Sequence, residues 1–488
     1  MASNNRILFH GPNGMVRYHA PEPTEEEKNY RPGIKTVTEA AREVEVIREA
    51  DVVVVGGGPG GFAAAICAAR TGAKTVLLER YGHLGGMSTG GLVNIVPNLT
   101  DIYGKRYIGG ICQEFLDRMD SIGAAFRPAE SEWGSTEPNV LKYYKDSSFH
   151  HFFVRKNAEG QETLLYTTIF DPEIGKNEMN RMVAEAGVKL YLHSWVTDVV
   201  MEGNAVKGVI FQSKSGRRAV LGKVVIDCTG DGDLLPCAGA ESNDDIGGDM
   251  RIKHLCFGFW VGGVEFRAFD KFTSQYPDEY MKLKNELHDS GLYVSFFRGM
   301  LKDQEDVAWF HPHFVAACQT DVDEMTRIDV AGREKAVRTW ELLRKKAPGF
   351  EKSYIRLTAP QLGTTGGRRL VSEYDLTEPD LCRDEPFEDT IAIFPNNDRG
   401  PDSLRWSKVF VPLRSLIPQK TDGLMVACRA FGSDDEANNC FNLGPHCLCF
   451  GQAAGITAAI AARDGIRPRD VPYAEVREKL LAGGAILP

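Results

Sequence analysis

Hydrophobic positions along the chain follow two rhythms. Val52 to Val55 form an unbroken β-branched run bounded by glycine, which predicts a parallel strand buried on both faces. Residues 60 to 72 are Ala-rich and apolar and predict a helix, and Thr75 to Leu78 repeat the strand pattern. Residues 103 to 120 carry Ile108, Ile111, Phe115, Leu116 and Met119 at helical spacing. The alternation from Glu162 to Phe170, preceded by Asn157-Ala158-Glu159-Gly160, predicts a hairpin. It would place His150-His151 on a strand, where neighbours point to opposite faces. Asp171 to Ala186 predicts a helix, and residues 187 to 228 a strand, a hairpin and a further strand. The stretch 251 to 266 is strand-like, and residues 324 to 346 have helical period up to the stop Ala347-Pro348-Gly349. Last come a strand at Leu424 to Ala427 and an Ala-rich helix from Pro445 to Arg463.

The turn after the first strand is where chemistry enters. Gly56, Gly58 and Gly61 supply GxGxxG between a strand and a helix. The first glycine permits the tight turn, the second lets backbone approach a pyrophosphate, and the third lets helix and strand pack closely. Glu79 ends the next strand, near the spacing of about 20 residues at which a carboxylate reaches the ribose hydroxyls of an adenine dinucleotide. NAD and FAD bind this unit alike. Gly85-Gly86 let a loop cross the phosphate region in a way that a simple NAD domain does not need. A buried strand running into Thr229-Gly230-Asp231-Gly232-Asp233 is a second glycine turn of the kind found at the edge of such a site.

Composition narrows the class. At 488 residues and 43% hydrophobic, the chain can bury a large core. A net charge of −10 without a long basic run argues against a nucleic-acid surface. The apolar stretches read as shorter than the ~20 residues of a membrane helix, and the N-terminus lacks a signal-peptide core, so a cytoplasmic protein without a membrane partner is expected. The 11 cysteines are scattered as reduced core thiols would be. Cys440, Cys447 and Cys449 with His446 lack the paired CxxC units of a structural zinc site, and no metal is expected.

The run Glu79 through ERYGHLGGMSTGGLV resembles the FAD-dependent oxidoreductases of the two-dinucleotide-binding-domain flavoproteins, distantly related to the fumarate reductase and succinate dehydrogenase flavoproteins. Blocks at 187–241, 360–381 and 421–465 extend the resemblance over roughly residues 45 to 470. It implies an α/β fold: a Rossmann-like FAD-binding domain of glutathione-reductase type with an inserted α+β substrate domain. The expected division is an N-terminal arm (1–45), FAD-binding segments (46–125, 171–249 and 361–488), a hairpin region (126–170) and a substrate domain (250–360). The cofactor implied is FAD, held by Gly56, Gly58, Pro59, Gly60, Gly61, Glu79, Arg80, Gly85, Gly86, Met87, Ser88, Thr89, Val196, Thr229, Gly230, Asp231, Gly444 and Pro445.

In the resembling enzymes residues 88 to 98 pass under the flavin ring, making Ser88, Thr89 and Asn94 candidate contacts. Some of the resembling flavoproteins carry a covalent histidyl–flavin link, which makes His83 a candidate for one here. The N-terminus of the last helix would face the flavin N1–C2=O edge. The family commonly has arginine where this chain has Asn442, which directs interest to His446 as proton donor or acceptor. Arg368 would meet a substrate anion or pair with acids around Glu373. His311 or His313 of WFHPHF would line a pocket or belong to an aromatic strand edge. The expected activity is hydride transfer from a small organic substrate (CH–OH, CH–NH or CH–CH) to flavin N5. A reductase or monooxygenase using NAD(P)H and a non-catalytic FAD-binding protein stay open, as does a homo-oligomer.

Overall fold

The computed structural model describes residues 8–10, 15–19, 21–25, 36–145, 150–157, 159–246, 250–299, 301, 304–316, 318–395 and 408–488. Its largest sheet has seven strands. Lys189–Tyr191, Thr75–Leu78, Glu45–Val55 and Gly216–Asp227 run parallel in that spatial order, and Ala205–Ser213 and Trp195–Glu202 continue it as an antiparallel meander. Leu424–Val426 joins in parallel at the last three residues of Gly216–Asp227. That long strand therefore carries the hairpin along its first half and the C-terminal segment at its end.

The valine run is buried on both faces because two cores meet across it. Val52 and Val54 belong to the core that includes the helices Pro59–Arg70, Gly110–Ser121, Pro172–Glu185 and Gly444–Asp464. Val53 and Val55 pack with Val196, Val199, Val209 and Val426 in the other. Alternation of side chains along a strand produces this division. The fold is the expected α/β Rossmann-like arrangement.

Helix Gly444–Asp464 is 21 residues long and apolar enough by composition to span a membrane. Its most apolar window is 94% buried inside the protein. The expectation that every apolar stretch falls short of that length is corrected here: an all-round hydrophobic helix is what a core position demands. It crosses Pro59–Arg70 at backbone distance. A Cβ on Gly451 would lie 2.1 Å from the carbonyl oxygen of Gly60, and one on Gly455 2.3 Å from that of Ala64.

A second region is built on two further sheets. One orders Leu8–His10, Met15–His19, His313–Val315, His254–Cys256 and Gly363–Thr364, and the other Phe297–Arg298, Ala308–Phe310, Phe259–Gly262 and Tyr354–Thr358. Helix Val322–Lys346 is capped by Asp321, whose carboxylate accepts from the Glu324 N–H (2.8 Å), and it buries Ile328, Ala336 and Leu343 in the same core. Part of the expected arm is thus a strand: Met15–His19 pairs in parallel with His313–Val315, and Tyr18 is buried. The arm's sequence also carries the acidic run Glu25-Glu26-Glu27, of which Glu26 and Glu27 lie outside the described residues.

Three local expectations are corrected. The helix expected over 103–120 is Gly110–Ser121, because Gly104 and Gly110 take positive φ (+83° and +59°) and keep the segment before it out of helix. His150–Phe153 is a helical turn rather than strand, and the side chains of His150 and His151 lie outside the described residues. The hairpin is Val154–Lys156 with Glu162–Leu164, whereas Thr168–Phe170 pairs with Ile95–Val96 and Ala125–Phe126.

Gly451→Ala forces apart two backbones that have no side chain to yield. It is expected to destabilise the fold by about 1–3 kcal/mol, read as a lower melting temperature with weaker flavin retention. An unchanged melt would show that the helices do not meet in this way.

Candidate functional site

A cleft runs along the carboxyl ends of Glu45–Val55, Thr75–Leu78, Gly216–Asp227 and Leu424–Val426, where open α/β sheets bind their ligands. Gly56 turns with φ +94°, and a Cβ there would sit 2.4 Å from the Cys228 carbonyl oxygen. One on Gly61 would sit 1.7 Å from the Gly56 carbonyl oxygen, so this glycine is what seats helix Pro59–Arg70 on the turn. At Gly58 a Cβ would meet nothing within 4 Å. That open space lies at a helix start with no side-chain cap, where first-turn N–H groups and the helix dipole favour an anion.

Glu79 is 5% exposed, and burial pushes its carboxyl above the ordinary range. Its oxygens accept from the N–H groups of Gly57 (2.5 Å) and Tyr81 (2.7 Å), tying the glycine turn to the second strand. The Arg80 guanidinium stands 4.9 Å from the Tyr81 ring and 5.6 Å from the Trp195 ring. Trp195 is 58% exposed beside Val196, which leaves a flat aromatic face at that end of the cleft.

The second glycine turn is organised by Asp227. Fully buried, it accepts from the Thr229 N–H (2.9 Å), the Thr229 hydroxyl (2.7 Å) and the Leu234 N–H (3.0 Å). Beyond it, Asp231 holds Arg429 at 2.6 Å, and Arg429 also donates to the Thr364 hydroxyl. The guanidinium lies against Gly230, where a Cβ would come 2.6 Å from Nη1. The Arg429 Nε is buried without a hydrogen-bond partner. Asp233 lines the cleft, and burial, then Asp231 and Asp227, push its carboxyl up to about 6.

Of the residues expected to hold FAD, the lining includes Gly56, Gly58, Pro59, Gly60, Glu79, Arg80, Gly86, Met87, Val196, Thr229 and Gly230. Gly61, Gly85, Ser88, Thr89, Asp231, Gly444 and Pro445 stand behind it. Gly85 donates to the Gly57 carbonyl (2.8 Å), and a Cβ on Gly444 would come 3.3 Å from the Ser88 hydroxyl, so helix Gly444–Asp464 starts beside the loop that crosses the cleft. Thr89 and Asn94 are engaged with backbone carbonyls, of Leu84 (2.5 Å) and Phe170 (2.7 Å).

His446, Asn442 and Arg368, expected to act on substrate, are not among the lining residues. His446 is 1% exposed, its ring 4.3 Å from Phe394 and 5.3 Å from Phe441, and its Nδ1 accepts from the Leu443 N–H (3.3 Å). As the third residue of the helix it reaches back to the cap, which turns the ring into the aromatic core and away from the cleft. Asn442 donates to the Thr365 carbonyl (2.6 Å). Arg368 meets the Asp231 carbonyl (3.3 Å) and Asp233 (3.5 Å), and Arg369 meets Asp435 (2.7 Å); Glu373 pairs instead with Arg469 (2.6 Å).

Sequence reasoning missed Arg429, Asp233, Gln361, Thr364 and Cys447, all of which line the cleft. The rule that ligands sit beyond strand ends points to Arg429, just past Leu424–Val426. Nothing comparable marks Gln361. Its Oε1 and the Nε2 of His83 are buried without hydrogen-bond partners, and both converge on Gly90, where a Cβ would lie 2.9 and 2.6 Å away respectively. The glycine cradle, the orphaned Arg429 Nε and the aromatic face suit a dinucleotide with an adenine at one end and a diphosphate in the middle.

Residues 51–480 match the family described as FAD dependent oxidoreductase. Among curated proteins, the chain is 27% identical over 208 residues to the thiamine thiazole synthase of Methanococcus vannielii, covering 41% of this chain and 63% of that protein. It is 38% identical over 78 residues to the mitochondrial dihydrolipoyl dehydrogenase of Caenorhabditis elegans, covering 16% of this chain and 15% of that one. The alignments thus span less than two thirds of either relative. Among solved structures, a geranylgeranyl bacteriochlorophyll reductase-like protein from Thermoplasma acidophilum aligns over 89% of this chain and 83% of its own, at 13% identity and a TM-score of 0.42. With the match spanning most of its length and the cleft built as described, the chain belongs to the FAD-dependent oxidoreductase family.

Proposed function

We propose that this FAD-dependent oxidoreductase oxidises a CH–OH, CH–NH or CH–CH group of a small organic substrate. The observation that carries the reading is the meeting of Met87, Gln361, Thr364 and Cys447 at the cleft. There the nucleotide fold and the five-stranded sheet both contribute lining, through the loop at Gly86–Ser88, the edge strand Gly363–Thr364 and the first turn of helix Gly444–Asp464. FAD bound in the cleft would supply the electron chemistry as the hydride acceptor, with the substrate's proton passing to solvent water.

The chain's own residues bind and orient. Gly58 leaves room for the diphosphate, Glu79 presents a carboxylate to a ribose, and the start of helix Gly444–Asp464 brings partial positive charge towards the ring. The buried, unpartnered Oε1 of Gln361 accepts a hydrogen bond from the substrate O–H or N–H and fixes which C–H faces the flavin. Nothing in this reading routes a proton through His446.

Anaerobic addition of alcohols, sugars, amines and enones to the yellow protein tests the reaction type, with NADH and NADPH as controls. Flavin bleaching by one organic class is the expected outcome. Rapid bleaching by a nicotinamide alone would replace the reading with a reductase or monooxygenase, and no bleaching by anything would favour a non-catalytic FAD protein.

With that substrate in hand, Gln361→Leu should lower kcat/KM about tenfold, the equivalent of about 1.4 kcal/mol, with flavin content unchanged. An unaltered kcat/KM removes Gln361 from substrate orientation.

Asp233 adds a pH dependence. Its folded-state pKa lies above the ordinary 3.8, so the folded chain keeps a proton that the unfolded chain releases. Stability on this account is highest below 3.8, falls as the pH rises towards about 6, and stays lower above it. Asp233→Asn should therefore raise the melting temperature of the flavin-free protein above pH 6 and change it little near 3.8. A gain of equal size at both pH values would mean that ionisation is not the cause.

A further inference from the structure

Outside the cleft, the five-stranded sheet gathers histidine and cysteine side chains on one face. His254–Cys256 runs antiparallel to His313–Val315, with Cys256 opposite His313. His311 lies in the connection between Ala308–Phe310 and His313–Val315, and its ring meets that of His313. The His311 and His313 ring centroids are 4.9 Å apart, and His254 stands edge-on to His313 at 5.6 Å.

The donor atoms converge more closely than the rings. His313 Nε2 faces His311 Nδ1 at 3.3 Å. One ligand atom from each of Cys256, His311 and His313 lies within 4.8 Å of the others. Two nitrogens bound to one tetrahedral zinc at about 2.0–2.1 Å stand about 3.3–3.4 Å apart, so the histidine pair already spans one edge of such a site. Only the thiol must close in. Cys256 and His313 are buried, and the second nitrogen of His311, Nε2, is buried without a hydrogen-bond partner. A cation between the rings engages both facing nitrogens through their lone pairs, with the ring protons then carried on His311 Nε2 and His313 Nδ1.

We propose that Cys256, His311 and His313 form a mononuclear site for a zinc-type divalent cation. One thiolate and two imidazoles select a borderline metal over calcium or magnesium, which take oxygen ligands. Three protein ligands leave a fourth position open, as in sites that bind water or substrate rather than purely structural ones. The site adjoins the cleft. Cys256 pairs with Gly363, and a Cβ on Gly363 would lie 2.3 Å from the Met87 Cε and 3.3 Å from the Cys256 carbonyl oxygen. Met87 lines the cleft directly, so the metal stands one strand behind the end where Gln361 and Thr364 meet it.

The test uses the full-length, FAD-loaded protein, treated with a chelator and titrated with zinc(II) and then cobalt(II). The expected result is one zinc per chain by elemental analysis. The cobalt form should show tetrahedral ligand-field bands at wavelengths beyond the flavin's own absorption, together with a thiolate charge-transfer band. Cys256→Ser should abolish the charge-transfer band. His311→Gln should weaken binding at least as much as the roughly 10- to 100-fold that loss of an outer hydrogen-bond partner of a metal ligand costs. Retained flavin and an unchanged melt show that a variant has folded; where Cys256→Ser fails that check, His311→Gln carries the comparison. Wild-type protein that takes up no stoichiometric metal, or a folded His311→Gln variant that binds as tightly as wild type, overturns the proposal.

Discussion

The structure depends on the crossing of two helices whose backbones touch. Pro59–Arg70 and Gly444–Asp464 come from opposite ends of the chain, and glycines and alanines let them approach without intervening side chains. The same device seats the first helix on the sheet, since a Cβ on Gly60 would lie 1.9 Å from the Ala427 carbonyl oxygen. Helix, helix and strand are thereby fixed to one another at close to van der Waals limits. As a result the start of each helix and the ends of Glu45–Val55, Thr75–Leu78, Gly216–Asp227 and Leu424–Val426 open on the same cleft. The closeness is a constraint as well as a gain in dispersion energy, because a void or an added methyl at such a crossing has nowhere to be absorbed.

Where local pattern decides structure, the chain can be read directly. Val52–Val55 with its glycine border, the Ala-rich stretch after Pro59 and the 3.6-residue period of 324 to 346 each specify their element without help from distant residues. The second region is different. Several of its strands are two or three residues long, and such segments hold no periodicity of their own. Met15–His19 is strand because His313–Val315 offers it an edge, and Gly363–Thr364 because Leu255 and Cys256 do. Tertiary pairing, not propensity, sets these assignments.

The site divides along the same line. A ligand that rests on backbone demands glycine at fixed offsets, so Gly56, Gly58 and Gly61 were legible, and Glu79 followed from the strand that ends there. Side chains that reach the cleft from remote segments leave no such trace. Gln361 and Arg429 are separated by more than sixty positions, and what unites them is the sheet edge and the strand end that deliver them. His446 shows the converse. Its position one step into a helix beside the flavin suggested an acid or base, yet the third residue of a helix is also where a side chain folds back on the cap, and the Phe394–Phe441 core rewards that rotamer.

The charge pattern of the cleft follows from what each group must offset. Asn442 stands where the resembling enzymes commonly carry arginine, and its amide is committed to the Thr365 carbonyl. Arg429 brings a largely buried cation to the cleft from a different element and is held by Asp231. An ion pair this buried gains little net stability, since desolvation of both partners consumes most of the attraction. Its value lies in position: Asp231 and Thr364 hold the guanidinium against Gly230, with its Nε still unanswered. A fixed donor that needs no reorganisation interacts more strongly with an incoming anion than a mobile one on the surface would. Asp233, whose burial and acidic neighbours Asp231 and Asp227 outweigh Arg80 and Arg368, bears the cost of that arrangement as a carboxylate that ionises reluctantly. An anion in the cleft thus finds an unanswered donor in the Arg429 Nε, and its charge adds to the repulsion that keeps Asp233 protonated.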